Sequence, residues 1–410
     1  MMVEVLRGGL TAVPGFRCAG VRAGIKSRGL DLMLLVSDGG PVTAAGVFTT
    51  NLVKGAPLRV THRNLWNGKL GAIVVNSGIA NAYTGESGLE DARQMAHLAA
   101  SCLGLNPSDV GVASTGLIGA RLPMGRIKAG IEKAAAELSN TRKAGQNAAR
   151  AIMTTDTVPK EVAVKVKLED GKTVTIAGIA KGSGMIQPRL EATMLALLVT
   201  DVAITPAALK TALQASIERS FNMVTVDRET STNDMVLVMA NGLAGNRRII
   251  LRRPSERFQE GLNYVTTELA RAMARDGEGA SHLIEVEVKG ARSERDAGRA
   301  ALAVAGSNLV KAAVFGRDPN WGRIITALGY SGVSFSPSKV TLVLKSDRGK
   351  VTLVRSGRGV RGGALSRASE LLRSDEVKIQ VDLAAGEGEA TAWGCDLTYD
   401  YVRINSQYTT

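Results

Sequence analysis

The stretch Lys181–Leu195 reads KGSGMIQPRLEATML, and the rest of the chain is ordered around it. A flexible Lys-Gly-Ser-Gly run ends a strand-like segment, Pro188 breaks any regular element, and the small-residue junction Ala192-Thr193 leads into the apolar run Met194 to Val199. Two readings stand side by side. In the first, this is a surface loop between two buried strands, and Thr193 simply opens the second strand. In the second, the backbone is cut before Thr193. The freed α-amine, with an ordinary pKa of about 7.7 to 8, then lies beside its own hydroxyl and activates it as a base. That chemistry needs no histidine, so the composition of the rest of the chain bears on it.

At 410 residues, with 45% hydrophobic residues and a mean hydropathy of +0.05, the chain reads as a folded globule with length for two or three domains. Its longest apolar runs are interrupted within about ten residues, against the ~20 that a membrane span needs. The first residues, MMVEVLRGGLTAVPGF, carry Glu4 and lack a basic region followed by an apolar one, which reads as no secretion signal and a cytoplasmic protein. Cys18, Cys102 and Cys395 are odd in number and far apart, as are His62, His97 and His282. Neither a zinc site nor a Ser-His-Asp set has much to draw on, and no metal is expected. His97 is expected to pack on a helix beside Met95, Leu98 and Cys102. The net charge of +13 invites a polyanion partner, but only 4% of residues are aromatic and the basic residues are dispersed, so no nucleic-acid module emerges.

Periodicity supplies the elements. Ala72–Val75 is a short buried strand feeding the polar loop Asn76–Gly85, then a helix whose first turn carries Glu90 and Asp91. The pattern recurs as strand Val110–Ala113, the turn Ser114-Thr115-Gly116 and a helix from Met124 to Leu138. A glycine after a strand lets backbone approach a ligand, and its N–H can face an oxyanion. Glu161–Lys167 and Thr173–Ile179 alternate around Glu169-Asp170-Gly171 as a hairpin. Thr205-Pro206 opens a helix through Leu209, Leu213 and Ile217, and Ser255 caps a long one through Met273. That helix stops at Asp276-Gly277-Glu278-Gly279, where the carboxylate is either a cap or a grip for an ammonium. A β-rich end follows. Gly357, Gly359 and Gly362 spell G-x-G-x-x-G, but after a tight hairpin rather than in a βαβ unit, which argues against a dinucleotide site.

Nine segments, in order along nearly the whole chain, resemble the glutamate N-acetyltransferases, also called ornithine acetyltransferases, of the arginine pathway. They are VFTTNLVKGAP, VVNSGIANAYTG, STGLIG, MTTDT, KGSGMI with ATML, VDRETSTNDM, DGEGA, SNLVKAAVFGRDPNWGRI and the tail TAWGCDLTYDYVRINSQYTT. The resemblance favours the cut threonine. It implies a self-cleaving α/β protein of mixed sheets packed against helices, split between Ala192 and Thr193 into chains 1–192 and 193–410 that stay together and pair as α2β2. It also implies that Thr193 is the nucleophile, Thr115 and Gly116 the oxyanion hole, and Thr155, Lys181, Thr193, Glu278, Asn405 and Thr410 the substrate-binding positions. The implied substrates are N2-acetyl-L-ornithine and L-glutamate, with no cofactor; acetyl-CoA stays open as a second donor. The segment before the cut departs from the family's Pro-Asn-Met-Ala-Thr: here it is Pro188-Arg189-Leu190-Glu191-Ala192-Thr193, one residue longer and charged. An amidase or aminopeptidase on the same scaffold, with water as acceptor, is the alternative.

Overall fold

The computed structural model describes residues 3–187 and 194–407. Six-residue runs with no polar face, such as Leu195–Thr200 and Met235–Ala240, can only be strands covered on both sides, and every residue in both is buried. They lie side by side in the middle of a seven-stranded mixed sheet. Its order is Val3–Leu6, Lys160–Lys167, Thr173–Lys181, Leu195–Thr200, Met235–Ala240, Val42–Phe48 and Lys69–Leu70. Leu195–Thr200 runs antiparallel to Thr173–Lys181, with Leu195 opposite Lys181, and parallel to Met235–Ala240, with Leu195 opposite Met235.

Side chains on a strand alternate between faces, and here the two faces meet different cores. Leu195, Leu197 and Val199 pack with Met33, Leu35, Ile73 and Val75 of a four-stranded sheet, Phe16–Val21, Leu32–Ser37, Ala72–Ile79 and Val110–Leu117. Ala196 and Leu198 pack with Leu262, Val265 and Leu269 of the helix Glu256–Arg275. The far face of the four-stranded sheet is covered by the helices Gly85–Leu103 and Met124–Ala136. A second seven-stranded sheet, built from residues beyond 223, adds Ile284, Val286 and Val288 to the helical core. No helix among the described residues is long and apolar enough to cross a membrane.

The hairpin Lys160–Lys167 with Thr173–Lys181 forms as its alternation requires. Other boundaries move. The strands expected to end at Val75 and Ala113 continue to Ile79 and Leu117, and pair in parallel through Ser77 with Thr115 and Gly78 with Gly116. Small residues on both strands allow that approach. The second helix begins at Gly85, so Glu86, not Glu90, occupies its first turn. His97 is exposed rather than packed. It stands two positions after buried Met95, on the opposite side of a helix of 3.6 residues per turn, and lines a surface groove with Arg59, Arg63 and Arg93. The G-x-G-x-x-G run sits at the edge of the second large sheet, where Arg358–Gly359 is the last strand.

Candidate active site

Five separated segments deliver their ends to one cleft of about 840 Å³, open solvent included. Thr115 and Gly116 come from the end of the strand Val110–Leu117, Thr155 from the segment after the helix Arg142–Ala151, and Lys181 from the last position of Thr173–Lys181. Glu278 comes from the turn after Glu256–Arg275 and Asn405 from the terminal helix Tyr399–Gln407. All six line the cleft together with Met194 and Leu195. Ala192, Thr193 and Thr410 lie outside the described residues.

Local chemistry explains the cleft's wall at Thr115. Gly116 has φ +124°, and a Cβ there would stand 2.3 Å from the carbonyl carbon of Gly78. Only glycine lets the two backbones meet and turns the following chain into the cleft. The wall is then pinned from behind: the Asn233 side-chain amide donates to Ala80 O at 2.6 Å and to Ser114 O at 2.9 Å.

Lys181 Nζ donates to Thr115 Oγ1 at 3.4 Å. Burial pushes the Lys181 ammonium below its ordinary pKa, while Asp156, Asp234 and Glu278 pull it back towards the charged form. Asp156 exerts the largest of these pulls. Burial by itself would raise its carboxyl, but Lys181, Lys160 and the Gly182 amide bring it down to about 2. Lys160 Nζ lies 2.7 Å from Asp156 Oδ1 and 2.6 Å from Asp276 Oδ2. The Gly182 amide donates to Asp156 Oδ1 at 2.7 Å, and the Thr157 amide donates to Asp276 Oδ2 at 3.1 Å. This buried group of three charges ties the MTTDT segment, the end of the Lys181 strand and the helix end before Glu278 into one unit. Its members are paired and further hydrogen-bonded, the condition under which buried charge is tolerated.

Glu278 is held as tightly. Asn405 Nδ2 donates to Glu278 Oε2 at 2.7 Å, the Glu278 amide donates to Ser183 O at 2.8 Å, and Ser183 Oγ is 2.7 Å from Thr155 Oγ1. A Cβ at Gly184 would come within 2.4 Å of the Glu278 carboxyl, which is why KGSG carries glycine there. Of the two uses foreseen for Glu278, capping a helix or facing a ligand, its place on the cleft wall favours the second.

Several residues that build the cleft are not evident from residue type and spacing. Asp227 accepts the amides of Met185 at 2.6 Å and Ile186 at 2.8 Å, holding the last described residues before 188. Asn233, Asp234, Ser183 and the trio Asp156, Lys160 and Asp276 belong to the same class. The polar runs MTTDT and VDRETSTND were the available signal, but they do not tell which members turn inward. Ser281, His282 and Asp396 do meet, yet both partners contact the same ring nitrogen, Nδ1. The imidazole therefore has no second face on the serine, and the group orders the start of a strand.

The ArgJ family model matches residues 17–410. A relative from Symbiobacterium thermophilum, named arginine biosynthesis bifunctional protein ArgJ, is 55% identical over 412 residues, the whole of both chains. One from Methanothermobacter thermautotrophicus, named glutamate N-acetyltransferase, is 47% identical over 415 residues, covering 100% of this chain and 99% of its own. Among solved structures, an ornithine acetyltransferase from Mycobacterium tuberculosis complexed with ornithine is 46% identical. It covers 46% of this chain and 100% of its own, with a TM-score of 0.43.

Proposed function

Because this chain belongs to the ArgJ family and is an acetyltransferase of arginine biosynthesis, we propose that it carries the acetyl group of N2-acetyl-L-ornithine to L-glutamate on Thr193. The supporting observation is the convergence of Thr115, Gly116, Thr155, Lys181, Glu278 and Asn405 on one cleft beside Met194, the residue that follows Thr193. Self-cleavage between Ala192 and Thr193 frees the amine. Thr193 Oγ attacks the acetyl carbonyl while that amine takes the hydroxyl proton. Thr115 and Gly116 face the oxyanion, and the proton passes to the departing nitrogen of ornithine as the C–N bond breaks. The α-amine of glutamate then attacks the acetyl ester, restoring the Thr193 hydroxyl and releasing N-acetyl-L-glutamate.

Each wall group has a task in this scheme. Glu278 suits an ammonium and Lys181 a carboxylate, which matches substrates that are both amino acids. Nucleophile and base are one residue, so the chemistry calls on no bound cofactor. The reading includes a cytoplasmic enzyme whose paired halves form an α2β2 particle of twice the 43.0 kDa chain mass.

The test is mass spectrometry of the protein mixed with N2-acetyl-L-ornithine alone. One acetyl is expected on the peptide that begins at Thr193, and ornithine release should continue only when glutamate is added. Steady release without glutamate would mean a hydrolase, and a fully active, unbroken chain would overturn the scheme. Acetyl-CoA with glutamate, assayed in parallel, separates a bifunctional enzyme from one that uses acetylornithine alone.

A further inference from the structure

Asp234 stands on the cleft wall with no part in the scheme so far. It is 3% exposed, and its Oδ2 has no hydrogen-bond partner among the described residues. An orphaned buried carboxylate oxygen costs stability unless something meets it. The rest of the residue is fixed. Its own carbonyl accepts the Thr49 amide at 3.0 Å, and the next amide, Met235, donates to Met194 O at 2.7 Å. Asp234 and Met194 are thus locked together where the parallel pair of strands begins.

Covalent geometry supplies the next step. The nitrogen of one residue lies ~2.7 to 3.7 Å from the nitrogen of the next, whatever the torsion between them. The α-nitrogen of Thr193 is therefore tethered this close to the nitrogen of Met194, the residue whose carbonyl accepts from the Asp234–Met235 peptide. We propose that Asp234 is the positioning residue of the Thr193 amine: after the cut, its free oxygen accepts an N–H bond from that amine and keeps the nitrogen's lone pair towards the threonine hydroxyl. This inference rests on the Thr193 reading above.

Met194 supports the assignment through its backbone. Its φ of +130° is a region that non-glycine residues rarely occupy, so the chain is held off its relaxed path at this point. Burial drives the Asp234 carboxyl well above the ordinary carboxylate range, opposed by the Met194 amide, Ser231 and Lys181. A new ammonium beside it would draw it back to the ionised form. The charged groups around the pair are Lys181 on the neighbouring strand, Asp156, Lys160 and Lys26 behind that lysine, and Glu278 across the cleft.

The experiment is the pH profile of kcat/KM for Asp234→Asn. Removing a negative charge beside an ammonium lowers the amine's pKa, so the acid limb should move to lower pH by about one unit, with plateau kcat reduced roughly tenfold and self-cleavage retained. An unmoved limb overturns the proposal. So does an Asp234→Asn chain that melts like wild type but stays uncut, because Asp234 would then act before any amine exists. Acetyl labelling of Thr193 in the same variant reports the nucleophile separately: labelling with an unmoved limb defeats this inference alone. Should the variant fail to fold, a crystal structure of the cut wild-type enzyme decides. Thr193 N within about 3.2 Å of Asp234 Oδ2 is expected, and a separation beyond about 4 Å overturns it.

Discussion

Lys181 and Thr115 meet at 3.4 Å, and the contact sets which way the threonine hydroxyl points. A hydroxyl that accepts from an amine keeps its own hydrogen for another acceptor, which in the proposed scheme is the oxyanion. Thr115→Ala removes that donor and is expected to lower kcat by about 10² to 10³-fold with little change in KM, read in steady-state acetyl-transfer assays. Gly116→Ala should do worse. A side chain at φ +124° would press on Gly78 at 2.3 Å, so soluble, cut protein should fall as well as turnover. The motif STGLIG marked both residues in the sequence, and both line the cleft. Asp234 was not marked in this way, because one polar loop of ten residues contains three acidic side chains and only packing decides which one is buried.

The strand Leu195–Thr200 carries the site from beneath, and its energetics can be tested at Leu198. Leu198 is fully buried and stands opposite Gly178 on the neighbouring strand. A Cβ at Gly178 would come within 2.4 Å of Leu198 Cδ2. Leu198→Ala is expected to cost about 2–5 kcal/mol and Gly178→Ala about 1–3 kcal/mol through overpacking. Because the first substitution makes room for the second, the double variant should cost less than the sum by about 1 kcal/mol in urea denaturation. Strict additivity would mean that the strands do not pack as described. The hairpin before this strand was legible from its alternation. The extension of Ala72–Ile79 and Val110–Leu117 was not, since Asn, Ser and Gly read as loop until a second small-residue strand lies alongside.

Across the whole molecule, the cut proposed between residues 192 and 193 would divide a chain whose two halves share one sheet. Leu195–Thr200 from the second half pairs with Thr173–Lys181 from the first, and Met235–Ala240 pairs with Val42–Phe48. The halves are therefore expected to elute together in native buffer. In denaturing electrophoresis they should run at about 20 and 23 kDa, in proportion to 192 of 410 residues and a 43.0 kDa mass. Acid should loosen the assembly in a defined window. The Asp156 carboxyl lies at about 2 against an ordinary 3.8, so its contribution is complete above about pH 4 and disappears as pH falls towards 2. Asp156→Asn should cost about 2 kcal/mol at pH 7 and converge with wild type near pH 2. A constant difference across that range would exclude the ion cluster as the cause.

The sequence by itself determined the elements and the chemistry on offer: the alternating hairpin, the capped helix before Glu278, the unusual Ala192-Thr193 junction and the ordered motifs that mark an acetyltransferase family. Those signals act over a few residues, through side-chain period and turn preference. Only the tertiary structure decided which groups meet. Thr157 and Asp276 are 119 positions apart, Asn405 and Glu278 127, and whether a carboxylate is paired, exposed or left facing a cleft follows from burial by segments that distant, which no local pattern encodes.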